Sequence, residues 1–233
     1  MKNKLVTFSY DDGVVQDRRL IQLLDRYNLK ATFNLNSEWF GLKHTFTGQN
    51  GLFEHQKVER DEVMEIYKNH EVAVHTLTHA KLPVASDEEV IRQVEEDRRN
   101  LSELVGYEVL GMAYPGATNN HDKRTENLIK NHTGVRYCRT IDCSNGFDMP
   151  VNLYEIMPTV HHLAPNAYEL CKKFVETQFE SPKLLYIWGH SYELDYGNNW
   201  MELEKIFQLI SGHDDIFYGT NKEILLNEGC HRK

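Results

Sequence analysis

The 233-residue sequence contains no CxxC pair among its four cysteines, Cys138, Cys143, Cys171 and Cys230. Incidental thiols in a reduced cytosolic protein are therefore expected, not a disulfide framework. No cluster of Lys and Arg stands out, and the formal net charge is −9. That balance argues against nucleic acid, anionic membrane surfaces and polyanionic substrates. No apolar run is long enough to span a bilayer; the stretch at 184–188 is only a strand's length. The opening Met1-Lys2-Asn3-Lys4 enters a strand pattern at once, without an apolar leader and cleavage site, so the expectation is a cytoplasmic location or, alternatively, a leader already removed. Solenoid repeats and low-complexity tracts are also absent. The tail Cys230-His231-Arg232-Lys233 reads as a frayed terminus and not as a metal fragment.

What is present is ordinary for a soluble enzyme: 40% hydrophobic and 26% charged residues. The length suits one domain over residues 1–233, with a core that needs no disulfide or structural metal. Short apolar runs alternate with amphipathic stretches. Strands are predicted at 5–9, 31–35, 71–74, 110–114, 134–139, 154–160, 183–188 and 215–218, with Pro158 interrupting the sixth. Helices are predicted at 17–27, 59–69, from Ser86 onward, and at 123–131, 168–179, 201–210 and 222–226. Leu20, Leu23, Leu24 and Tyr27 share one face of the first. In the third, Ser86 and Glu89 have the spacing of a capping box, and Val90, Val94, Leu101 and Leu104 form the buried stripe. Residues 38–57 show no period and read as a long functional loop. This alternation predicts an α/β fold with a parallel sheet, and the number of units suits a barrel better than an open sheet.

In such a barrel the catalytic residues sit where strands end. Asp11-Asp12-Gly13 follows the first predicted strand. Adjacent carboxylates favour a cation beside them, and Gly13 permits a sharp turn, although a plain polar turn would carry the same residues. His75 and His79 follow the third strand at a spacing that brings two imidazoles to one side. Two histidines and one aspartate are the ligand number of a catalytic zinc with open positions. Pro115-Gly116 follows the fourth strand, Asp142 the fifth, His161 and His162 the sixth, and His190 the seventh.

The segment Thr7-Phe8-Ser9-Tyr10-Asp11-Asp12-Gly13, followed some sixty residues later by His75-x-x-x-His79, resembles the first two motifs of the NodB-homology polysaccharide deacetylases, carbohydrate esterase family 4. Leu184-Leu185-Tyr186-Ile187-Trp188-Gly189-His190-Ser191 resembles the last motif. The resemblance implies a distorted (β/α) barrel of about seven parallel strands. It implies that Asp11 is the base, that Asp12, His75 and His79 hold one divalent metal ion, zinc foremost, and that His190 is the acid. The family commonly carries Arg-x-Pro-Tyr after the fourth strand. Here Ala113-Tyr114-Pro115-Gly116 stands in its place, so the orienting arginine is missing, while a backbone N–H such as that of Gly116 still offers an oxyanion donor. The tryptophan-containing fourth motif is not evident; Asp142 and Asp148 are the candidates for its acid. Glu193 and Trp200, in the following loop, could contact substrate.

The expected reaction is removal of an N-acetyl group from a saccharide or glycoconjugate, by metal-activated water with Asp11 and His190 moving the protons. Hydrolysis of a non-sugar amide or imide on the same barrel is the alternative, followed by a non-catalytic carbohydrate-binding barrel. Nothing in the sequence sets the oligomeric state.

Overall fold

The computed structural model describes residues 2–48 and 51–226. The tail from Cys230 to Lys233 lies outside them. The chain begins with β1 (Lys4–Asp11), α1 (Asp17–Arg26) and β2 (Ala31–Leu35). A hairpin follows, of β3 (Lys43–Gly48) and β4 (Gly51–Gln56). Next come α2 (Val63–Tyr67), β5 (Glu71–Val74), α3 (Asp87–Val105), β6 (Gly111–Ala113), α4 (Lys123–His132) and β7 (Tyr137–Arg139). The remainder is β8 (Val160–His161), α5 (Ala167–Glu176), β9 (Lys183–Gly189), α6 (Tyr192–Gly197), α7 (Trp200–Ile210), β10 (Ile216–Tyr218) and α8 (Asn221–Leu225).

Seven parallel strands run in the order β7-β6-β5-β2-β1-β9-β8. β10 pairs with residues 4–6 of β1, and β2 pairs with residues 8–11 of the same strand. All eight residues of β1 are buried, as expected for a parallel strand covered on both faces. The sheet curls into the distorted (β/α) barrel that the strand–helix alternation predicts. Its seam is spanned by one segment: Ile156 bridges to Arg139 at the end of β7, and Val160 pairs with Ile187 of β9. Leu20, Leu23 and Leu24 of α1, and Val90, Val94 and Leu101 of α3, face the core as their spacing predicts. Among the described residues, no helix is long and apolar enough to cross a membrane.

Four local expectations change. The segment 38–57 is not a structureless loop; its two ends pair as an antiparallel hairpin, with Phe46 opposite Phe53 and Thr45 opposite Glu54. The predicted strand 154–160 shrinks to Val160–His161, because Pro158 brings no N–H to the ladder and its carbonyl accepts from the Ser144 amide at 2.8 Å. The predicted helix 59–69 starts as a 3-10 turn, Arg60–Glu62, before α2. The capping box of α3 is half made: Ser86 Oγ accepts the Glu89 N–H at 3.2 Å, but the Glu89 carboxylate turns outward to Arg92 and Gln93.

Candidate active site

The chemically active side chains gather where the strands end. Asp11 closes β1, His75 follows β5, Arg139 closes β7, His161 closes β8 and His190 follows β9. The turns that carry them need unusual backbone. Asp12, Gly13, Thr76 and His79 have φ of 84°, 59°, 63° and 52°. At Gly13 a Cβ would stand 2.7 Å from the Leu35 side chain, so only glycine fits that turn. Strain at three non-glycine positions persists only where neighbours over-determine the geometry. Asn36 does so for the His75 turn: its amide donates to the carbonyls of His75 at 2.5 Å and Thr76 at 2.9 Å. Thr76 Oγ1 in turn accepts the Ala80 N–H at 2.9 Å. The carboxylate of Asp97, from α3, accepts the N–H of Ser37 at 2.8 Å and of His75 at 3.2 Å.

Asp12, His75 and His79 offer ligand atoms that all lie within 4.8 Å of one another. His75 Nδ1 is 2.8 Å from the Ala113 carbonyl oxygen, which can only accept. Nδ1 therefore carries the proton and Nε2 keeps its lone pair, the usual outer-shell arrangement for a ligand histidine. Burial lowers His75 to about 4 despite the nearby carboxylates, so the ring is neutral at ordinary pH. Two neutral imidazoles and a carboxylate suit a divalent transition ion, zinc among them.

Asp11 is 2% exposed, and its Oδ1 accepts from the Asn34 amide at 2.8 Å. The guanidinium of Arg139 bonds both carboxylate oxygens. Burial alone would raise the Asp11 carboxyl, but Arg139, His75 and His190 bring it below the usual carboxylate range. Arg139 is itself fully buried and stacks 4.6 Å over the Trp188 ring. It reaches Asp11 from β7, the strand next to that of Ala113.

His190 Nε2 stands 3.9 Å from Asp11 Oδ2 and 4.0 Å from Asp12 Oδ2. On the other edge, its Nδ1 is 3.4 Å from Glu193 Oε1. Glu193 Oε2 is 3.1 Å from His161 Nε2 and 3.0 Å from His162 Nε2, so one carboxylate gathers three imidazoles. Burial opposes the imidazolium of His190. Glu193, followed by Asp12 and Asp11, outweighs that and raises it to about 9. His161, His190 and Glu193 also have the spacing of a metal-ligand group; the carboxylate of Glu193 is at the same time hydrogen-bonded to His162 at 3.0 Å and within ion-pair distance of His161 and His190.

Asp11, Asp12, His75, His79 and His190 line a cavity of about 540 Å³, walled by Trp39, Phe46, Trp188 and Tyr192 and edged by Gly116. Gly116 has φ of 94° and lies in a loop tied by the Asn120 amide to the Tyr114 carbonyl at 3.1 Å. Asp142 is exposed and Asp148 pairs with Lys183 at 2.6 Å; neither lines the cavity. Trp200 packs under Arg19, away from it.

The sequence profile of the polysaccharide deacetylase family matches residues 1–137. The chain belongs to that family. No curated protein matches it. Solved structures share the fold of this deacetylase-family chain at low identity. A mutant of the peptidoglycan deacetylase PdaC from Bacillus subtilis is 12% identical, with a TM-score of 0.60 over 99% of this chain and 94% of that one. The Xyl-CE4 domain of a multidomain xylanase, from the hindgut metagenome of Trinervitermes trinervoides, is 13% identical. Its TM-score is 0.58, over 97% of this chain and 92% of that one. A family 4 pseudoenzyme from Bacillus anthracis is 16% identical, with a TM-score of 0.54 over 97% of this chain and 66% of that one. The chain spans 60% of the Streptococcus pyogenes deacetylase structure and 44% of a Bacillus cereus polysaccharide deacetylase.

Arg139, Lys57, His55, Asn34, Asn36 and Asp97 belong to the site but fall outside the motifs. Arg139 ends a predicted strand, and an inward-facing charge at that position was the available signal. Lys57 and His55 sit in the segment 38–57, whose sequence carries no period that marks them.

Proposed function

We propose that the chain is a metal-dependent deacetylase that cleaves the amide of an N-acetylated saccharide or glycoconjugate. The observation behind this reading is the convergence, in one aromatic-walled cavity, of Asp11, of the Asp12–His75–His79 donor set and of His190. A divalent ion held there supplies Lewis-acid polarisation of the acyl carbonyl and a more acidic water. Asp11 is the base that takes the proton of the attacking water. Arg139 and Asn34 fix the direction of its carboxylate. The N–H of Gly116 donates to the oxyanion, and a backbone donor does not depend on the arginine motif being present. His190, charged and aimed by Glu193, protonates the departing nitrogen. Flat rings at Trp39, Phe46, Trp188 and Tyr192 suit the apolar faces of a pyranose.

The test is acetate release from a panel of N-acetylated sugars and non-sugar amides, before and after chelation and zinc restoration. Zinc-dependent release from the sugars is expected. Release from non-sugar amides alone moves the substrate class to those compounds. No turnover of any amide by zinc-loaded protein removes the enzyme reading.

A further inference from the structure

Lys57, immediately after β4, is 1% exposed. Its ammonium donates to the Asp12 carbonyl at 2.5 Å, to Asp12 Oδ1 at 3.1 Å and to Asn36 Oδ1 at 3.3 Å. The indole of Trp39 lies over it, 5.3 Å from Nζ to the ring centre. A lysine is almost never buried this far without a specific partner, and here that partner is a carboxylate of the proposed ligand set. The oxygen that Lys57 bonds, Oδ1, is also the one recorded nearest His79 Nε2, at 3.9 Å. The other oxygen lies 3.5 Å from His55 Nε2 on the hairpin. The hairpin and its exit residue thus contact both oxygens of Asp12, and Lys57 shares Oδ1 with His79.

Two positive charges so close to one buried carboxylate repel each other, and water screens them poorly. Partners outside a metal's ligand shell usually hydrogen-bond the ligands in a way that strengthens donation. An ammonium on a ligand oxygen does the reverse, because it draws on the same lone pairs and the same negative charge. We infer that Lys57 is an internal counter-ion of Asp12 that competes with the divalent ion and keeps it loosely held and exchangeable. This rests on Asp12, His75 and His79 being the ligands. Lys57 also braces the left-handed turn at Asp12, so its two effects on metal affinity have opposite sign, and the repulsion is the larger.

The experiment is zinc affinity of the full chain, measured by chelator competition at low ionic strength, for the wild type, Lys57→Met, Lys57→Gln and His75→Ala. Both Lys57 variants remove the charge, and the glutamine keeps a donor for the Asp12 carbonyl. Zinc should bind both variants about tenfold or more tightly than it binds the wild type. If the methionine variant loses its fold by circular dichroism, the glutamine variant carries the comparison. Unchanged or weaker affinity in folded Lys57→Gln, with wild-type binding abolished by His75→Ala, overturns the counter-ion role and leaves the metal site standing. Wild-type binding that survives His75→Ala overturns the ligand assignment, and this inference with it.

Discussion

Arg139 holds both oxygens of Asp11 although β7 and β1 are separated in the sheet by β6, β5 and β2, so the pair crosses the barrel interior. Asp11 thereby gains a fixed direction at the cost of basicity. Replacing Arg139 by lysine keeps a charge but loses the planar fork. Turnover should fall roughly ten- to a hundredfold through misplacement of Asp11, with zinc content unchanged. Arg139→Met leaves a buried carboxylate unpaired and should cost about 3–5 kcal/mol of stability. Asp11→Asn, by contrast, should keep zinc and lose roughly two to four orders of magnitude in kcat. Steady-state kinetics with metal analysis checks the lysine and asparagine variants, and denaturant unfolding checks Arg139→Met; near-normal turnover of Asp11→Asn would place the base elsewhere.

The ligand assignment makes a simpler prediction. Three protein ligands leave no redundancy. His75→Ala and His79→Ala should each lower zinc occupancy sharply, read by elemental analysis of purified protein. Full occupancy in the double variant would refute the site. Tm should drop when the wild type is stripped of zinc and recover when zinc returns, because an ion that binds only the folded state stabilises it.

The reach of the sequence ends where contacts stop being local. Asp11, Asp12, His75, His79 and His190 are legible because each lies in a short motif at a strand end, where the barrel must bring such ends to one face. Arg139 is 128 residues from Asp11, and its role is visible only once the barrel closes. A linear motif has no means of showing that a guanidinium on the strand next to that of Ala113 contacts Asp11. Glu193 could be read as a loop acid, but its three imidazole partners come from two different strand ends. The hairpin is not legible in the sequence because its residues alternate too weakly to signal a strand, and its two halves pair with each other.

Stability should depend on pH through two buried carboxyls outside the reaction. Asp17 accepts from Ser191 Oγ at 2.5 Å and from the Tyr67 hydroxyl at 2.7 Å. Burial outweighs those bonds and raises it from 3.8 to about 7. Asp97 is raised over the same interval, again by burial. The folded chain keeps protons there that the unfolded chain releases from about pH 4 upward. The stabilisation is therefore complete below the unfolded value and is lost as pH rises through the folded one. Asp17→Asn and Asp97→Asn should each flatten the fall of Tm between roughly pH 4 and 7. Thermal melts across that range test it, and slopes equal to wild type in both variants would show that these carboxyls are not the protonated groups.

The assignment of His190 can be tested together with the bond that is broken. An amide nitrogen must be protonated to leave, whereas the phenol of an aryl acetate departs with far less help. The contribution of an acid therefore grows with the basicity of the leaving group. His190 also packs against Tyr192 and Trp188, with ring centres 5.1 Å and 5.8 Å away, so a purely structural role is a real competitor. The two roles separate cleanly. As the leaving-group acid, His190→Ala should keep its zinc, lose about two orders of magnitude or more in kcat/KM on an N-acetyl sugar, and lose much less on an aryl acetate. As a structural residue it would lose equally on both, with a lowered Tm. Glu193→Gln adds a graded case. It keeps a group beside His190 Nδ1 but removes the anion that favours the imidazolium, so its loss should again be larger on the amide, though smaller than that of His190→Ala. Equal losses on amide and ester in both variants, with zinc still bound, would remove His190 from the reaction and leave the proton for the leaving nitrogen to come from another group in the cavity.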